Sequence, residues 1–496
     1  MPDKIKPYDK AAYQKLCAAL RRGKSGLTVA DICAATALPL SQVKELIPLA
    51  ADEFSAQLKV TESGEIIYSF PDGLKSRYNG FRVTLIRFCE KFVKALGTIG
   101  SFLFKIWIMI MLIGYFVLFL AIALGSVLIS IYANSKNSSS RRGSVGFFGP
   151  GLFNLIFRLW FYSELVDSMS RRSAGWNRNR TASSAPHRPL HRAIFSFIFG
   201  DDDSGADRDA VYKKALIACI QSRKGLITLP EFMAISGKCP ADAEQALMAF
   251  CVEYGGMPEA TDDGTIVYRF EELLLRANTR DRSFAELSPP ISGLKTFSHN
   301  TKTMNICFGV INAVNLLFGS YFAYNAAHTG AVHFTAESTL NSLYDFAYML
   351  FGAFTQNPLP LIGIGLGVIP LVFSALFWLI PAVRFHLLKK ENERVKFENF
   401  RRLAFTRIWT RPDEVREQDV RAEIAECKPK NTRAAQERVL KEMGAYSQPE
   451  IAIDENGVTR YSFNELAREK AALEKCRASV NEERTRLGNV VFDSGE

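Results

Sequence analysis

Residues 22–26 read RGKSG, and a Gly-Lys-Ser triplet is the end of a loop that cradles nucleotide phosphates. That loop needs a second glycine five positions earlier, where Ala18 stands, and it must follow a strand, whereas this turn joins two helical patterns. Residues 201–209, DDDSGADRD, have the composition of a calcium loop. Gly205 comes one place early and no Glu arrives at the twelfth position, so an acidic helix-capping linker is the better reading. His187 and His191 stand four apart in a Pro- and Arg-rich stretch without carboxylates, which is poor ground for a metal. The nine cysteines (17, 33, 89, 219, 239, 251, 307, 427, 476) form no CxxC pair and no cluster with histidines, which rules out zinc ribbons and redox dithiols. Scattered thiols of this kind suit a reducing compartment. No nucleophile has a paired base, so the expectation is a protein that is not an enzyme, with no catalytic residues, no cofactor and no metal.

The elements that carry these residues are of two kinds. The 496 residues are 48% hydrophobic and include 37 Phe, a balance between soluble and membrane proteins. The first ten, MPDKIKPYDK, lack an apolar signal core, so the first domain is expected to stay in the cytoplasm. Three stretches are apolar enough to enter a bilayer: 106–135 and 303–327, both free of charge, and 346–383, whose later part is the expected span. The loop between the second and third has no Lys or Arg, while Lys302 precedes it and Arg384, Lys389, Lys390 and Arg394 follow, so this pair reads as a hairpin with cytoplasmic ends. Residues 106–135 are long for one span and short for two. Basic clusters on both sides favour a hairpin turning near Gly114, with a single tilted span as the alternative.

Residues 74–200 hold 17 Lys or Arg against 3 acids, and the rest of the chain 44 against 48, so the whole positive excess is juxtamembrane. Arg87, Lys91, Lys94, Arg141, Arg142, Arg171 and Arg172 are accordingly assigned to anionic lipid headgroups, each worth about 1 kcal/mol. A solvated basic linker is the plainer reading of SKNSSSRRGS at 135–144. Residues 147–166, with aromatics around Arg158, read as an interfacial amphipathic helix.

The most specific signal is an internal repeat. GEIIYSF (64–70), GTIVYRF (264–270) and GVTRYSF (457–463) each follow an acidic turn, the pattern of a hairpin whose strand sets Tyr and Phe two apart on one face. Gly64, Tyr68 and Phe70, then Gly264, Tyr268 and Phe270, then Gly457, Tyr461 and Phe463 form this wing motif. Three helical patterns precede each hairpin: 8–22, 28–36 and 41–55; 210–223, 228–237 and 240–254; 394–409, 417–427 and 432–445. Helix, helix, helix and a two-stranded wing is the winged-helix order. With FSFIFGDDD at 195–203 and LGNVVFDS at 487–494, the chain resembles an uncharacterised membrane-protein family of bacteria and plastids, a resemblance that implies architecture more than activity.

The fold class is therefore mixed, α-helical membrane segments with three small α+β winged-helix domains. The divisions are 1–73 (first repeat), 74–105 (basic segment), 106–135 (membrane hairpin or span), 136–206 (basic linker), 207–278 (second repeat) and 279–302 (linker). Then come 303–327 (transmembrane helix), 328–357 (extracytoplasmic loop and re-entrant part), 358–383 (transmembrane helix), 384–465 (third repeat) and 466–496 (C-terminal helix and tail). A winged helix that reads DNA offers cations from its third helix and wing. Residues 239–268 contain six acids and no Lys or Arg, so DNA is disfavoured and a protein partner is expected, with Leu247, Phe250 and Val252 filling the core. The expected function is a membrane scaffold or assembly factor in the cytoplasmic (inner) membrane, multi-pass, with cytoplasmic domains and its oligomeric state open. A tethered nucleic-acid-binding regulator is the alternative and a transport or channel component the third.

Overall fold

A computed structural model of the chain describes residues 9–22, 26–71, 73–75, 77, 97–136, 189–201, 208–277, 289–330, 343–416, 419–420, 424–453, 459–480 and 487–495. The described residues are mostly helical, with three small three-stranded sheets among them. It divides into two compact units: Met1–Phe88, Asp203–Lys295 and Lys389–Glu496 make the first, Cys89–Asp202 and Thr296–Leu388 the second.

The first unit is built from three pieces. In the first, α1 (Lys10–Leu20) buries Ala12, Leu16, Ala19 and Leu20, one stripe at helical spacing, and Asp9 caps its start. A reciprocal Thr28–Asp31 capping box starts α2 (Val29–Thr36), and α3 (Leu40–Glu53) leads into β1 (Gln57–Thr61) and β2 (Ile66–Ser69). Gly64 takes a φ of +78°, and its N–H donates to the Thr61 carbonyl at 2.9 Å. The second piece has α6 (Arg208–Ser222), β3 (Leu226–Ile227), α7 (Leu229–Ser236), α8 (Pro240–Tyr254), β4 (Met257–Ala260) and β5 (Ile266–Arg269). Its turn is the same: Gly264 at +79° donates to Thr261 at 2.9 Å. In the third piece, β6 (Val415–Arg416), α12 (Thr432–Tyr446), β7 (Glu450–Ile453), β8 (Thr459–Ser462) and α13 (Asn464–Ser479) follow a long helix. Of the helix expected over 417–427, residues 417–418 and 421–423 lie outside the described residues, and Ala425–Cys427 form a short 3-10 turn.

The second and third sheets share one order, β3-β5-β4 and β6-β8-β7, so the short first strand pairs with the last. In the first piece, Leu27 pairs with Tyr68 in that place. The outer edge of β1 is instead taken by β9 (Val490–Asp493) from the end of the chain. One apolar core runs through all three pieces, from Leu16, Ile32 and Val43 to Phe232, Leu247 and Phe270, and on to Phe405, Val439 and Phe463.

The second unit holds the apolar helices. Among the described residues, three helices are long and apolar enough to cross a membrane: Gly97–Ser130, Lys302–His328 and Leu361–Thr410. The first belongs to α4 (residues 97–136), a single helix, so the hairpin near Gly114 is not formed. Gly114 instead closes a π-helical turn, Ile110–Gly114. No charge interrupts the backbone ladder there, and a helix keeps every amide satisfied without turning. α5 (Leu190–Phe199), α9 (Lys302–His328), α10 (Leu343–Gly352) and α11 (Leu361–Thr410) complete the set. α11 does not end at 383 as the span pattern suggested. It continues through Arg384 to Thr410 and becomes the first helix of the third piece. α9 and α11 approach closely because small residues meet: a methyl group at Gly367 would stand 2.8 Å from the Ala323 backbone, and one at Gly319 3.1 Å from the Leu371 amide.

Candidate functional site

The tyrosines and phenylalanines of the hairpin motif are packing residues. Tyr68, Tyr268, Phe270 and Phe463 are buried, and Phe70 and Tyr461 are half-buried on the same strands. Gly457 lies outside the described residues, as do Arg87, Lys91, Lys94, Arg141, Arg142, Arg171 and Arg172 and the stretch 147–166. Gly26, at the end of the RGKSG segment, takes a φ of +92° beside Ile67 and Tyr68 of the first hairpin, and Gly225 takes +77° beside Phe270 and Leu274 of the second. Both glycines turn the chain onto a sheet.

The third helices are one meeting point of the first unit. α8 packs against both α3 and α12, and the Tyr254 hydroxyl at its end donates to the Ala37 carbonyl at 2.8 Å. Ala243, Leu247, Phe250, Cys251 and Tyr254 face inward. Val252, expected in the core, is 86% exposed. It stands on the outer face with Asp242, Glu244, Gln245 and Met248, a surface that is acidic and apolar. On α12 two of the cations are engaged locally, Arg433 with Glu437 at 3.5 Å and Arg438 with Glu442 at 3.0 Å.

Buried charges tie the pieces together. Glu231 has no exposure and lies between Arg223 of its own piece and Arg477 of α13, the latter at 2.6 Å. A carboxylate so buried needs both partners. Arg276 reaches Asp31 at 3.2 Å, linking the second piece to the first. On α11, Arg402 donates to the Ser236 carbonyl (3.2 Å) and the Pro290 carbonyl (3.0 Å), and Arg401 to the Gly237 carbonyl (3.0 Å). Two guanidinium groups thus take up the C-terminal carbonyls of α7, where cations are favoured. The sequence signal was present, an Asn-Phe-Arg-Arg run on a helix, but it reads as an ordinary solvated face. Burial pushes the Cys33 and Cys219 thiols up to about 12, which keeps both protonated.

In the second unit, polar side chains serve the π-helical turns. The Asn315 amide donates to the Leu112 carbonyl at 2.7 Å, and the Tyr115 hydroxyl to the Gly365 carbonyl at 2.9 Å. Each carbonyl belongs to a π segment, so neighbouring helices satisfy groups that the widened turns release. Asn312 donates to the Ser374 carbonyl at 3.0 Å. The FSFIFGDDD motif ends α5. Arg384 donates to the Ser196 and Phe197 carbonyls, each at 3.1 Å, and lies 4.0 Å over the Phe297 ring. Asp201 accepts from the His299 backbone N–H at 2.9 Å and lies 2.6 Å from its Nδ1. Among the described residues no group of three or more His, Cys, Asp or Glu could hold a metal ion.

The chain is 21% identical over 399 residues to an uncharacterized chloroplastic protein of Arabidopsis thaliana, covering 78% of this chain and 70% of that one. No family model and no solved structure matches.

Proposed function

We propose that the protein is a non-catalytic, membrane-anchored scaffold or assembly factor, multi-pass in the cytoplasmic membrane, whose three winged-helix domains are fused into one cytoplasmic platform for a protein partner. The observation that carries this is the use of α8. It packs on α3 and α12, and its exposed residues include Met248 and Val252 among Asp242 and Glu244. A helix held in that way, with no cation outward, is poorly suited to a phosphate backbone. Exposed apolar side chains rimmed by acids are the usual make-up of a protein-binding patch. The shared strand order of the sheets supports the winged-helix assignment.

The test uses the full chain in detergent. Titrated at about 0.15 M salt, where the non-specific attraction of the basic segment is screened, with labelled duplex and single-stranded DNA, it should show no binding tighter than about 10 μM. Micromolar or tighter binding would replace the scaffold with a tethered regulator. Met248→Asp with Val252→Asp should remove the co-purified partner and leave the helical circular dichroism unchanged.

A further inference from the structure

Lys105 is the last charged residue before the uncharged run 106–135, so on the membrane reading it stands where that run meets the headgroups. α5 lies beside it. The Lys105 ammonium is 4.5 Å over the Phe195 ring, Phe102 meets the His191 ring edge-on at 5.3 Å, and Phe104 lies 6.1 Å from Phe199. Arg192, next to His191, is exposed. His191 is held below its ordinary value, first by burial and then by the positive charges of Arg192 and Lys105. Two cations and an imidazole thus share one patch, and neither Lys105 nor Arg192 has a carboxylate partner among the described residues.

What flanks the patch decides its partner. Phe102, Phe104 and Trp107 are all exposed on α4, with Trp107 stacked on Phe104 at 6.0 Å. Exposed aromatics with cations beside an apolar run mark the level where headgroups meet acyl chains. A free phosphate would gain nothing from those rings, and a zwitterionic headgroup would bring its own cation toward Arg192.

We propose that Lys105, His191 and Arg192 hold the phosphate of an anionic glycerophospholipid, with Trp107, Phe104 and Phe102 against its glycerol and upper acyl chains. The proposal rests on the membrane reading and adds a headgroup class and a place. The full chain would be reconstituted in nanodiscs of equal phosphatidylglycerol and phosphatidylcholine, and retained lipid counted by native mass spectrometry. Wild type should retain phosphatidylglycerol selectively. Lys105→Gln with Arg192→Gln should lower that retention roughly thirty-fold, at about 1 kcal/mol per basic residue, and Lys105→Arg should keep it. Equal retention of both lipids, an unchanged double variant, or displacement of the lipid by millimolar inorganic phosphate would each overturn the site. Release of the chain from membranes by alkaline carbonate would instead bring down the membrane reading.

Discussion

Glu469, on α13, receives hydrogen bonds from the Tyr446 hydroxyl at 3.0 and 3.2 Å, and burial lifts its carboxyl from 4.5 to about 7. Between those values the folded chain keeps a proton that the unfolded chain releases, so this group makes stability fall as pH rises through the window. Glu469→Gln should therefore raise the thermal midpoint at pH 8, by roughly 2 kcal/mol of stability, and leave it nearly unchanged at pH 4.5. A greater gain at the lower pH would contradict the assignment. Such residues were hard to read in the sequence, because a carboxylate on an amphipathic helix resembles any other until its neighbours are known. Val252 shows the opposite difficulty. Its apolar identity suggested the core, but the inward stripe 243, 247, 250, 251, 254 follows the helical period and leaves 252 on the far side. The tyrosines and phenylalanines of the hairpins were easier, because a period of two and a fixed glycine leave few places for them.

Elements were legible where the local code is strong. Thr28 with Asp31 specifies the start of α2, and the acidic turns with Gly64 and Gly264 specify two hairpins of one geometry. The turn at Gly114 was not legible, because length alone separates a hairpin from a long helix and glycine is compatible with both. The packing of α9 on α11 offers a sharper test. Gly367→Val would drive a side chain into the Ala323 backbone and should lower the thermal midpoint measurably, whereas a methyl at Gly365 would meet nothing nearer than the Leu361 side chain at 3.6 Å. Gly365→Ala should thus be close to neutral in the same melt. Equal effects would mean that the small residues do not set the helix spacing.

At the scale of the whole molecule, the shared core of the first unit places Cys17 and Cys239 in one body with Cys427, so all three belong to one side of any bilayer. Cys427 is buried, which leaves Cys17 and Cys239 to be probed with an impermeant thiol reagent in intact cells. Both should stay unlabelled until the membrane is opened, and labelling of one alone would break the platform apart. How three distant stretches close into one core was not legible, because Arg402, Glu231 and Asp31 find partners 100 residues or more away. α4 also has a directional consequence. At 1.5 Å per residue, 97–136 extend about 60 Å, and α5 lies against the beginning of that length, at Phe102, Phe104 and Lys105. On the proposed membrane reading, Ser130 and Arg192 stand in different aqueous worlds, with their own proton concentration, redox poise and proteases. Cysteines introduced at these two positions should be labelled from opposite faces.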